Sequence, residues 1–212
     1  MKKLIIYGAS ELAKLALYYI NRETELKVSA FVVDDEFLAS QQFLGLPVFS
    51  WKKAEEQFPP LQTSVFVAIG YRSMSGRAKA FEVVQNKGFS FINLISKKTF
   101  IADDIKLGRN NFVMPGAVIE PYTQLGDNNV IWSNATICHD SKIGNHNFFA
   151  ANVTLGGHAN VGDRCFFGFS STIKEEIQVG DDVLVGANSL VLKDVSEGLK
   201  IYGSPAKSVR SL

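Results

Sequence analysis

Read along the chain, the apolar positions follow two different rules. Up to about residue 97, short apolar runs alternate with longer stretches that carry apolar residues at helical spacing. "KLIIYG", "VSAFVVDD", "SVFVAIG" and "FSFINLI" read as strands, and "SELAKLALYYINR" and "GRAKAFEVVQNKG" as helices. This alternation predicts a small parallel sheet with flanking helices over residues 1–97, a βαβ-type α/β domain. From Ile101 the period becomes six. IADDIK, LGRNNF, VMPGAV and their successors run to VLKDVS at Ser196, sixteen hexads without an insertion. Each opens on Ile, Leu, Val or Phe, and eight carry glycine second. Such a repeat predicts a parallel β-helix over residues 98–212, tail included. Each hexad is a short strand and a turn, three hexads make one triangular coil, and the aliphatic first residue fills the prism. Glycine, asparagine and aspartate are expected where the corners need unusual backbone angles.

Composition narrows the function. Lys and Arg total 22 against 21 Asp and Glu, a net charge of +1, so no basic excess points to nucleic acid or an anionic membrane surface. No apolar run has the length of a membrane helix or a signal peptide, which predicts a soluble cytoplasmic protein. Cys138 and Cys165 have no CxxC partner, so neither a zinc cluster nor a disulfide framework is expected.

Three histidines occur, at 139, 146 and 158. His139 and Asp140 are the third and fourth residues of ICHDSK, at a corner of the predicted coil rather than inside it. As a metal set the three histidines fit poorly. From His139 to His158 the spacing overshoots the three-hexad stacking interval by a single position, so no metal is expected. Gly157 lies one full coil beyond His139, three hexads on, and should stack beside it. Among the hexad aromatics, Phe149 and Phe167 take the inward first position. Phe148 and Phe166 precede them and are expected to face outward, toward a partner chain or a ligand. "GASELA" follows the first strand-like run and opens a helix, a reduced glycine-rich turn in which Gly8 and Ser10 could meet a phosphate. Asp34 and Asp35 close the second run, and Gly70 closes "SVFVAIG".

Taken together, "IIYGAS", "FVVDDE", "VFVAIG", the hexads with "CHDSKIG", "VGANSLVLKD" and the tail "GSPAK" resemble the bacterial left-handed β-helix sugar acetyltransferases. That family includes sialic acid O-acetyltransferases and nucleotide-amino-sugar N-acetyltransferases. The resemblance implies a left-handed coil, acetyl-CoA as co-substrate and a UDP- or dTDP-linked amino sugar as acceptor, in surface-glycan or lipopolysaccharide biosynthesis. It implies a homotrimer with the coenzyme between subunits. His139 would be the general base and Asp140 its carboxylate partner. Phe148, Gly157, Phe169 and Ala187 would line the coenzyme path. Gly8, Ser10, Asp34, Asp35 and Gly70 would hold the nucleotide sugar. The chain departs from its relatives at Glu11-Leu12-Ala13, where they carry Gly-His-Gly. It departs also at Phe148, where they have histidine, and at Trp132, where some have asparagine. Transfer to a hydroxyl, or a β-helix that only binds a nucleotide sugar, are the competing readings.

Overall fold

The computed structural model describes residues 2–209, and the chain divides into two compact units at Leu94/Ile95. In the first unit, β1 (Lys3–Tyr7), α1 (Glu11–Glu23) and β2 (Val28–Val33) follow the predicted alternation. The chain continues through β3 (Gln42–Phe43), β4 (Leu46–Ser50), α2 (Trp51–Gln57), β5 (Thr63–Val67), α3 (Met74–Asn86) and β6 (Ser90–Phe91). The sheet order is β3-β4-β2-β1-β5-β6, parallel except for the β3–β4 hairpin. That hairpin and α2 are additions to the elements the apolar pattern predicts. Two-residue β3 and the proline in "LPVFS" hide the pairing, while Leu44 and Gly45 turn it with φ of 51° and 80°. Helix α1 buries Leu12, Ala13, Ala16 and Ile20, one face at a spacing of three to four residues. Ile5, Tyr7, Val32, Trp51, Val65, Val67 and Val84 form the core between sheet and helices.

In the second unit all sixteen hexads open on a strand, and the repeat begins one hexad earlier, at Ile95. Strands stack in three parallel sheets at a register of one coil, for example Ile119 beside Ile137 and Phe149 beside Phe167. One face carries Val113, Ile131, Phe149, Phe167 and Val185, and the next Ile119, Ile137, Leu155 and Ile173. The third carries Leu125, Ile143, Val161 and Val179, and every one of these side chains is at most 5% exposed. Inside, Phe149 and Phe167 stack at 4.6 Å.

The corners differ from the expectation for glycine. In each of the fourteen hexads from LGRNNF to VGANSL the fourth residue has positive φ, 55° to 77°. Only Gly116 among these is glycine; Asn, Asp, His, Tyr, Arg, Ser and Glu fill the rest. The second-position glycines serve close approach instead. A Cβ on Gly126 would meet the carbonyl oxygen of Gly144, one coil on, at 2.6 Å. At the corner joining the third face to the first, buried Asn111, Asn129 and Asn147 form a ladder. The side-chain oxygen of Asn147 accepts from the Cys165 N–H at 2.7 Å, and its amide donates to the Gly162 carbonyl at 3.0 Å.

The repeat ends against chain that no longer follows it. Lys200–Tyr202 pairs parallel with Leu184–Val185 and antiparallel with Lys207–Ser208, and Val195 bridges to Val179. On the remaining face the Leu190 N–H donates to the Gly203 carbonyl and its carbonyl accepts from the Ala206 N–H.

Asn147→Ala removes an acceptor and a donor from groups that water cannot reach. It should cost about 1–3 kcal/mol for the polar groups left unpaired, read as a lower denaturation midpoint of the β-helix by circular dichroism. A substitution that leaves the midpoint in place would show that the ladder is not needed.

Candidate active site

His139 and Asp140 occupy the corner between the second and third faces. The one-coil register stacks Gly157 over His139 and His158 over Asp140. The backbone fixes the arrangement: the His158 N–H donates to the His139 carbonyl at 3.0 Å, and Asp140 and His158 both have φ of 58°. His139 Nδ1 lies 2.9 Å from Asp140 Oδ2. A hydrogen on Nδ1 donated to that carboxylate leaves Nε2 with its lone pair free. Gly157 gives the imidazole its room, since a Cβ there would sit 3.0 Å from Cε1 and Nε2. Among the described residues the Gly157 N–H donates to no backbone carbonyl.

Two residues complete this corner that the sequence reading did not place there. Glu120, from the coil before, accepts the His139 backbone N–H at 2.9 Å. His158 brings Nε2 to 3.9 Å from Asp140 Oδ2, and its ring meets that of His139 edge-on at 5.3 Å between centroids. The one-position offset therefore does not keep the two histidines apart. The stacked pair is Asp140 with His158, and His139 is their diagonal neighbour. Counting one coil on from Asp140 would have found it. His146 lies at a different corner, with Nδ1 3.0 Å from the Asn128 amide. Cys138 precedes His139, and burial first, then the Glu120 carboxylate, push its thiol up.

Of the residues read as a coenzyme path, only Gly157 stands at this corner. Phe169 (57% exposed) and Ala187 stand at the corner between the first and second faces, across the second face from His139. Phe148 corrects the expectation of an outward aromatic pair. It is only 3% exposed, with the Phe166 ring stacked at 5.5 Å and the Trp132 ring at 5.5 Å as its neighbours. It therefore waits for no partner or ligand to take it out of water, and it offers almost no surface to a coenzyme; Phe166 is half-buried.

In the first unit the candidate residues converge. β1 lies between β2 and β5, and Gly8 follows β1, Asp34 and Asp35 follow β2, and Gly70 follows β5. All stand at the carboxyl edge of the parallel sheet, on either side of β1, the place where open α/β sheets take their ligands. Gly8 has φ of 120°, and a Cβ there would meet the Ala68 carbonyl oxygen at 2.8 Å. Ser10 caps α1 without using its hydroxyl on the helix. Asp34 accepts the Tyr7 hydroxyl at 2.7 Å, while Asp35 is exposed at the start of a 3₁₀ turn. Leu12 and Ala13, where relatives carry His-Gly, are buried in the helix packing. Arg77, which the sequence reading passed over, is fully buried and donates to the Ile69 carbonyl at 2.7 Å, bracing the loop that holds Gly70. Among the described residues no helix is long and apolar enough to cross a membrane.

This geometry agrees with what the chain is similar to. The family model for the bacterial transferase hexapeptide (six repeats) matches residues 104–139 and 122–157. Among curated protein sequences none matches this one. Solved structures do match, over nearly all of both chains. A histidine mutant of perosamine N-acetyltransferase from Caulobacter crescentus, in complex with CoA and GDP-perosamine, is 27% identical with a TM-score of 0.89, covering 100% of this chain and 98% of that one. PerB from the same organism, again with CoA and GDP-perosamine, is 26% identical with a TM-score of 0.82, over 99% and 98%. The acetyltransferase domain of PglB from Neisseria gonorrhoeae, at 23% identity, shares the fold with a TM-score of 0.87 over 99% and 100%. The chain thus has hexapeptide repeats and the left-handed β-helix fold of these solved structures. Over its whole length it resembles the sugar N-acetyltransferases that carry an α/β domain ahead of that helix.

Because the Cys138 thiol is pushed up by burial and Glu120, and that of Cys165 to about 12 chiefly by burial, both are thiols at neutral pH. Labelling with a disulfide reagent at pH 7 should be slow in the folded protein and fast after denaturation. Prompt labelling of Cys138 in the native state would contradict this and reopen it as a nucleophile.

Proposed function

We propose that this protein is an acetyl-CoA-dependent N-acetyltransferase acting on a nucleotide-linked amino sugar, in surface-glycan biosynthesis. The observation that carries the reading is the corner itself: a histidine with Nδ1 held by a carboxylate at 2.9 Å and a bare glycine against its free edge. It stands on a chain that matches a nucleotide-sugar N-acetyltransferase from end to end. The sugar amine attacks the thioester carbonyl carbon, forming the C–N bond. The C–S bond then breaks, and CoA leaves as its thiolate, which takes up a proton. His139 Nε2 accepts the proton that the attacking amine must lose, while Asp140 holds the ring and stabilises the imidazolium. The Gly157 N–H supports the developing oxyanion. No acyl-enzyme is needed, which suits cysteines kept as thiols.

Labour divides between the units. The sheet edge that carries Gly8, Ser10, Asp34, Asp35 and Gly70 takes the nucleotide sugar, with Asp35 and the α1 N-terminus as polar groups for it. The hexads carry the transfer. The perosamine enzyme takes a GDP-sugar, so the fold does not limit the base to uracil or thymine. The separation of Phe169 and Ala187 from His139 favours a homotrimer in which a neighbouring prism supplies the coenzyme contacts. Phe148 has no role in that path. Acetyl-CoA and nucleotide sugars are cytoplasmic metabolites, which sets the enzyme there.

Thioester cleavage should be followed across a panel of UDP-, dTDP- and GDP-linked amino sugars, with hydroxyl acceptors alongside. Turnover confined to amine acceptors is the expected result. Turnover only on hydroxyls would reassign the enzyme as an O-acetyltransferase, and none on any acceptor would leave a binding protein.

His139→Ala should keep the fold and lose activity by about a hundred- to ten-thousandfold, the usual worth of a general base. Near-parental turnover would remove His139 from that role. Gly157→Ala should press on the ring and slow transfer without changing the unfolding midpoint. Light scattering should give three times the chain mass; an active monomer would sink the intersubunit coenzyme site.

A further inference from the structure

The corner holds more than general-base catalysis uses. We propose that His139, Asp140 and His158 form a binding site for a divalent transition metal, zinc above all, and that its occupation switches the transfer off. One ligand atom from each side chain falls within 4.8 Å of the other two. Asp140 Oδ2 is central, 2.9 Å from His139 Nδ1 and 3.9 Å from His158 Nε2. Ligands held at roughly 2.0–2.2 Å by a tetrahedral zinc lie about 3.3 Å from one another. The two shorter spacings straddle that value, and the longest closes by rotation of exposed side chains. Exposure is 53%, 40% and 57% for the three side chains, so an ion can reach them and water can fill the fourth position. Their backbones are set by the stacked coils, which leaves only side-chain rotation as the cost of assembling the site.

Ligand type selects the ion. Two imidazoles and one carboxylate suit zinc and its neighbours in the transition series, whereas calcium and magnesium favour all-oxygen sets. This metal is not a cofactor of the transfer. His158 has no place in the chemistry above, and its presence beside Asp140 adds the third ligand that a His-Asp pair lacks. A neutral imidazole that gives Nδ1 to the ion must carry its hydrogen on Nε2. The lone pair that takes up the amine proton is then gone. No bond of the substrate changes, and removal of the ion restores the base.

The inhibitory consequence rests on the proposed role of His139; the binding does not. The test uses tag-free full-length protein and its His158→Asn variant, titrated with Zn²⁺ against a chromophoric chelator, with thioester cleavage measured in parallel. The expected result is one zinc per chain in the parent, inhibition that tracks occupancy, and recovery with EDTA. The variant should bind zinc at least about tenfold more weakly than the parent, since losing a ligand costs no less than losing an outer-shell partner. Equal affinity in the two proteins, or binding in neither, overturns the site. Zinc bound by the parent with unchanged turnover overturns the inhibition. If metal-free parent cleaves no thioester with any acceptor, the acetyltransferase reading fails, and the chelator titration still decides the site.

Discussion

Everything in the β-helix depends on one backbone constraint, a left-handed residue at the fourth place of fourteen successive hexads. An L-residue there gives up some conformational energy, and the coil recovers it by closing three flat turns into a triangle that stacks on itself. Once fourteen successive corners share this geometry, the register is fixed at three hexads and cannot drift. Inward aliphatics then meet inward aliphatics, and backbone donors meet carbonyls one coil away. The second-position glycines are a consequence, because coils drawn this close leave no room for a Cβ at that place. The buried asparagine ladder follows as well, since the corner residue below always lies within reach of the backbone above.

The same register builds the candidate site. A functional group at a corner acquires as neighbours whatever stands one coil away, at its own place in the hexad or the next. His139, Gly157, Asp140 and His158 therefore form a short grid. Grid neighbours are readable from numbering alone, which is why Gly157 could be placed beside His139 before any coordinates. His158 escaped because the count was made from His139 and not from Asp140. Glu120 escaped because it sits in a strand-edge position of the previous coil, where a glutamate looks like any solvated residue. Burial was the least legible property. Phe148 alternates outward by sequence, yet is covered almost completely, and a period-six pattern carries no information about what lies over an outer face.

In the α/β unit the legible part was the long elements, and the hidden part was short. β1, β2 and β5 announce themselves by apolar runs ended by glycine or aspartate. β3 and β4 do not, because a two-residue strand has no period and Pro47 argues against one. The buried guanidinium of Arg77 is likewise invisible in sequence, where an arginine on a helix reads as solvent-facing. What the strand order adds is convergence: candidates far apart in the chain, from Gly8 to Gly70, end at one edge because β1 lies between β2 and β5. The sheet, not any motif, makes them a set.

A column of parallel strands has no natural length, and each finished coil is a template for another. The last turn here is therefore a matter of solubility as much as of folding. On all three faces the final strands are closed off: by the short strand Lys200–Tyr202 with its antiparallel partner bearing Lys207, by backbone bonds with Val195 of the last hexad, and by backbone bonds with Gly203 and Ala206. These occupy the hydrogen-bonding edge that a second prism would need in order to dock end to end. The stretch from 195 to 209 thus acts as a terminator, and the column stays a discrete molecule rather than the seed of a fibre.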